Sequence, residues 1–144
     1  ESVDTSLEAA VLSNRSACLA KVGHYRASLD DAERAIELLP KWGRVWSRVG
    51  LAAARLGEVK QAADAYAKAV EFDPSGANVE ALLAVVQKSQ PSNTDSAHAE
   101  KEKGNAAMRA NEFGLAVACF TVGIALVPPE ATSASPDVPP DDVY

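Results

Sequence analysis

Cysteine, aromatic residues and long apolar runs are all scarce in this chain, and each scarcity excludes something. Cys18 and Cys119, the two cysteines, stand at unrelated spacings, which supports neither a disulfide framework nor a metal site. Both are expected to be small, reduced residues of the core. Aromatics make up 6% of the sequence while alanine is abundant, a balance that favours closely packed helices over a sheet. No apolar run approaches the roughly 18 to 20 residues of a membrane-spanning helix. The stretch Glu1-Ser2-Val3-Asp4 lacks the basic start and apolar segment of a secretion signal, so a cytoplasmic location without a membrane partner is the expectation. Basic residues are outnumbered, 14 against 20 acidic ones, for a net charge of -6. That argues against general affinity for nucleic acid or anionic membrane, yet leaves room for one local basic groove.

A catalytic constellation is missing too. The sequence has no glycine-rich phosphate loop and no nucleophile beside a base, so neither an enzyme nor a cofactor is expected. His24 and His98 have no second ligand at metal spacing. The many carboxylates read as solvated helix faces, paired with Lys and Arg.

What the chain does have is an internal repeat. The segments 30–40 and 64–74 align without a gap, each closing on a proline, Pro40 and Pro74. Carrying the alignment back from those prolines pairs Ala35 with Ala69, Ala32 with Tyr66, Ser28 with Ala62, Tyr25 with Val59 and Gly23 with Gly57. Further back Leu19 pairs with Ala53, Ser16 with Gly50 and Leu12 with Trp46. Small residues at Ser16/Gly50 and Ser28/Ala62 let two antiparallel helices approach closely, and larger ones at Leu12/Trp46 and Tyr25/Val59 fill the space between them. Gly23 and Gly57 suit a helix end, where a left-handed backbone costs glycine least. Pro40 and Pro74 stop the second helix. A third copy carries Gly104, Phe113, Ala116, Phe120 and Pro128 at the matching positions. The helices expected are 6–21, 25–38, 42–56, 59–72, 76–89, 97–110 and 113–127. Trp46 holds a large core position, whereas Trp42 lines the groove edge or covers the inter-repeat turn.

The interval from Pro40 to Pro74, with Trp46-x-x-x-Gly50 between them, resembles the tetratricopeptide repeat, whose period is about 34 residues. The resemblance implies an all-α helical-hairpin solenoid, a right-handed superhelix of three repeats plus a capping helix. Its units would be a repeat at 1–40, a second at 41–74, a capping helix at 75–91 with Val79, Leu82, Leu83 and Val86 on one face, a further repeat at 92–128, and a Pro/Asp-rich loop or tail at 129–144. The order is anomalous, because Pro128 follows Pro74 by much more than one period. Lys101-Glu102-Lys103-Gly104-Asn105 looks like the opening of a first repeat and Ser13-Asn14-Arg15-Ser16-Ala17 like that of a second. The sequence thus reads naturally as 92–144 followed by 1–91, with a loop from Pro129 to about Ser6. A permuted order, a second domain cut short, and a domain swap onto a neighbouring molecule all account for it.

The same motifs, with Lys41-Trp42-Gly43-Arg44-Val45-Trp46-Ser47-Arg48, are similar to Hop-like and small glutamine-rich co-chaperones. That resemblance implies a two-carboxylate clamp for the C-terminal Glu-Glu-Val-Asp peptides of the seventy- and ninety-kilodalton heat-shock chaperones. Its residues would be Lys101, Asn105, Asn14, Arg44 and Arg48, Arg44 standing where the family usually has lysine. Lys101/Asn105 and Arg44/Arg48 are each four apart, so each pair shares a helix face. Other readings are a general scaffold for an internal segment of an unrelated partner and the targeting domain of a larger enzyme such as a phosphatase or peptidyl-prolyl isomerase. Asp137, Asp141, Asp142 and the ending Val143-Tyr144 form an acidic tail that crudely mimics such a peptide.

Overall fold

A computed structural model of the chain describes residues 3–129. Seven helices follow one another: α1 (Val3–Lys21), α2 (Tyr25–Leu38), α3 (Gly43–Arg55), α4 (Val59–Phe72), α5 (Gly76–Ser89), α6 (Thr94–Arg109) and α7 (Phe113–Leu126). The fold is an all-α helical-hairpin solenoid. The acidic tail from Asp137 to Tyr144 lies outside the described residues.

Three hairpins, α1–α2, α3–α4 and α6–α7, turn in the same way. Gly23 and Gly57 have φ of 88° and 80°, and Asn111 takes the same left-handed conformation at φ 62° in the third. In each turn the next residue donates its backbone N–H to a carbonyl in the last turn of the first helix: His24 to Leu19 at 2.8 Å, Glu58 to Ala53 at 2.9 Å and Glu112 to Ala107 at 2.8 Å. Asparagine tolerates this backbone better than other side chains, which is why the third turn survives without glycine.

The two helices of a hairpin are held close by complementary sizes. A Cβ on Gly50 would stand 2.8 Å from the Tyr66 ring, and one on Gly104 would strike the Phe120 ring. In the first hairpin the equivalent pair is Ser16 and Ala32. There the hydroxyls of Ser16 and Ser28 each donate to the other's backbone carbonyl at 2.8 Å, tying α1 to α2. On the same interface Arg15 grips the buried Asp31 through Nε at 2.6 Å and Nη2 at 2.8 Å. This planar two-bond pairing raises the Arg15 pKa.

Two clusters form the core. Ala9, Leu29, Ala32, Val45 and Val49 fill the space among the first three helices, with Trp42 and Trp46 packed against them. Trp46 also donates its indole N–H to the Pro40 carbonyl at 2.8 Å. Tyr66, Val70, Leu82, Val86, Ala118 and Leu126 join α4, α5 and α7. Helix α7 is apolar on nearly every side; α6 and α4 with α5 cover much of it, while Phe113 and Ile124 stay exposed. The α6–α7 hairpin therefore stacks beyond α5 and, among the described residues, makes no substantial contact with α1.

The structure departs from the sequence-based expectation at two helix starts and one cysteine. Helix α1 begins at Val3, so the expected loop does not reach Ser6; Asp4 in its first turn complements the helix dipole. Helix α6 begins at Thr94 because the Asn93 side chain caps it, accepting from Ser96 N at 3.0 Å. Cys119 is buried, but Cys18 is exposed. Its counterpart one repeat later, Ala52, is buried because another hairpin precedes α3; among the described residues no hairpin covers that face of α1.

Two outcomes follow from this packing. Gly50→Ala should destabilise the fold by about 1–3 kcal/mol, the usual range for overpacking, read as a lower midpoint in urea unfolding. Under native conditions a thiol reagent should titrate Cys18 quickly and Cys119 slowly. Burial, with Glu100 nearby, raises the Cys119 pKa and so depletes its thiolate at neutral pH; two equally fast thiols would contradict the placement.

Candidate binding groove

The first helices of the hairpins, α1 and α3, stand side by side and α5 continues the row, leaving a groove of about 500 Å³. Lys21 and Ala17 of α1, Arg48, Leu51 and Arg55 of α3, and Asn78 of α5 are among its walls. No Asp or Glu is among the described residues that line it. Tyr25 and Tyr66 give it an apolar floor, and Asn78 is fixed by donating its amide to the Asp73 carbonyl at 2.9 Å.

Arg48 occupies the centre of this arrangement. It is half-buried, and its Nε donates to the buried Ser13 hydroxyl at 3.1 Å, bridging α3 to α1. Burial lowers its pKa first and the charge of Arg44, one turn back, lowers it further. Two guanidiniums crowded in this way are each relieved by an incoming anion. Arg44 itself is exposed at the start of α3, and Asn14 is exposed on α1 beside Ser13.

Of the five residues singled out in the sequence, one chain thus brings three to the same pair of helices: Asn14, Arg44 and Arg48. Lys101 and Asn105 lie on α6, whose main packing partner is α7, and they do not reach α1 or α3. Asn105 is buried there, while Lys101 lines a separate cavity on the α6–α7 hairpin. Sequence reasoning passed over Lys21 and Arg55. They stand at equivalent positions of successive repeats, each in the last turn of its helix, and that regularity was the available signal. Among the described residues no cluster of three or more His, Cys, Asp or Glu side chains is placed to hold a metal ion. No helix among them is long and apolar enough to cross a membrane.

Residues 43–75, which are α3, α4 and the turn beyond, match the tetratricopeptide repeat family. That stretch of the chain is a tetratricopeptide repeat. Among its relatives, the Hsp70-Hsp90 organizing protein of Triticum aestivum is 45% identical over 76 residues, 53% of this chain and 13% of that protein. Small glutamine-rich tetratricopeptide repeat-containing protein 2 of Mycosarcoma maydis is 38% identical over 87 residues, 60% of this chain and 24% of its own length. The heat shock protein sti1 homolog of Schizosaccharomyces pombe is 38% identical over 78 residues, covering 54% and 13%. The chain therefore spans between 13% and 24% of the length of these relatives.

Proposed function

We propose that this chain is a co-chaperone adaptor module whose groove captures the acidic C-terminus of a heat-shock chaperone by clamping two carboxylates. The observation that carries the reading is the groove itself: Lys21, Arg48 and Arg55 converge from two helices onto a lining without a carboxylate among the described residues. Arg44, one turn before Arg48, and Asn14, next to Ser13, offer a further cation and an amide on the same two helices. A free C-terminus beside an aspartate side chain presents two carboxylates a few ångströms apart, and charge-assisted hydrogen bonds are the strong ones. Similarity to the Hsp70-Hsp90 organizing protein and to the sti1 homolog supports chaperones of the seventy- and ninety-kilodalton classes as the source of that peptide.

A second reading has its own observation. With Lys101 and Asn105 away on α6, the groove of a single chain has fewer donors for a terminus, and its tyrosines and Leu51 suit an internal segment of some other partner.

A titration with a short peptide ending Met-Glu-Glu-Val-Asp, beside the same peptide amidated, separates the two. The free-acid peptide should bind at about micromolar strength, roughly -8 kcal/mol, and amidation should weaken it severalfold. Arg48→Ala should cost at least about tenfold, as expected for a charged hydrogen-bond donor of this kind. The ionic part should also fade with added salt. Equal binding of acid and amide would favour the internal-segment reading, and no binding to either would end the chaperone assignment.

A further inference from the structure

Two faces of this chain leave large apolar side chains in the open. One is on α1, where Leu7 is 61% and Val11 57% exposed. The other is on the α6–α7 hairpin, where a cavity of about 510 Å³ is lined by Ala97, Lys101, Phe120, Gly123, Ile124 and Val127, with Ile124 63% exposed.

Each face has a counterpart elsewhere in the chain that is filled. Pro128 and Pro40 mark the same repeat position, and in that alignment the cavity residues correspond to Ala9, Ser13, Ala32, Ala35, Ile36 and Leu39. In α1–α2 those alanines are fully buried, and Ile36 and Leu39 pack with Val45, Val49 and Ala52 of α3. The α1–α2 version of the groove is thus the seat of α3. The residues of α3 that fill it map, one repeat back, onto α1: Val45 onto Val11 and Ala52 onto Cys18, both exposed. Arg15, the counterpart of Val49, is the one polar replacement, and Asp31 already holds it.

Among the described residues the chain therefore has one open seat and one unseated helix that would fit it. They cannot meet within a molecule, because α6–α7 is packed against α4 and α5. We infer that a second copy of this chain docks its α1 into the α6–α7 groove of the first, head to tail, as α3 docks on α1–α2. Charges agree with this pairing: Asp4 and Glu8 flank the α1 patch, and Lys101 borders the groove. Such a contact joins two different surfaces, so it propagates rather than closing on itself as a two-fold dimer does. It also acts on the peptide groove, and here it rests on the reading proposed above. The Arg48–Ser13 contact of 3.1 Å becomes, at the equivalent repeat positions, a contact between Asn14 of one copy and Lys101 of the other. Assembly brings a further cation to the clamp.

Sedimentation equilibrium from about 1 to about 200 µM reads the association by mass action. Wild-type protein should gain mass with concentration. Val11→Glu and Ile124→Glu, both at exposed positions, should keep their helical circular dichroism and stay monomeric. Mixed in equal amounts they should form a one-to-one dimer, because the first retains an intact groove and the second an intact α1. A wild-type monomer throughout, as when the chain's own residues 130–144 fill the groove, or unchanged assembly of either variant, would overturn the docking. The mixed dimer should also bind the free-acid peptide about tenfold tighter than either variant alone, the effect of one added charge-assisted contact. Equal affinities would remove the shared clamp while the docking stands. A dimer that binds no peptide at all would remove the peptide reading and leave the head-to-tail contact intact.

Discussion

Each hairpin of this solenoid closes where the second helix presents its bulk to a residue of the first that has almost none. Tyr66 lies on Gly50 and Phe120 on Gly104, at distances that exclude even a methyl group. The α1–α2 pair reaches the same closeness with Ser16 and Ala32 and secures it with two hydroxyl-to-carbonyl bonds. Interior packing is dense enough that such a fit determines how near two helices come. That spacing in turn shapes the groove each hairpin offers to the next helix. The seat of α3 on α1–α2, and through it the alignment of α1 with α3, depends on this close approach.

The basic groove inherits its chemistry from that alignment. First helices stand in a row, so residues recurring at the repeat interval accumulate on one concave surface. Lys21 and Arg55 do so across α1 and α3, and Arg48 joins them by reaching to Ser13. The chain as a whole is acidic, with a net charge of -6, yet the groove is lined without carboxylates among the described residues, and several of these stand elsewhere in ion pairs such as Arg26–Glu58 and Arg34–Glu37. The basic character of the groove is thus a local property that bulk charge does not reveal.

Repetition also accounts for what the fold leaves unfinished. A repeat protein's surfaces are copies of its own interfaces, so a hairpin face without a neighbour carries the same apolar side chains that are buried elsewhere. Leu7 and Val11 on α1, and Ile124 on α7, are exposed for that reason. Cys18 is exposed by the same logic: its position is interior in a stacked repeat, and among the described residues α1 has no hairpin before it. The expectation that it was a core residue judged the residue type correctly and lacked knowledge of its neighbours.

Most of the helix boundaries were legible in the sequence, because local chemistry sets them. Gly23 and Gly57 mark the turns, prolines the hairpin ends, and the repeat interval the pairing of small with large. Asn111 escaped notice only because it replaces a glycine, and Asn93 because a cap acts ahead of the pattern it starts. The basic and amide residues proposed for a clamp were visible as pairs four apart on a helix, Lys101 with Asn105 and Arg44 with Arg48. Where those helices stand relative to one another was not. Placing α6–α7 against α4 and α5, away from α1, depends on which apolar faces bury most surface together, a comparison between distant segments that no local pattern encodes. The sequence by itself determined the repeating hairpin and the charges on its faces; only tertiary packing decided which of those faces meet within one chain.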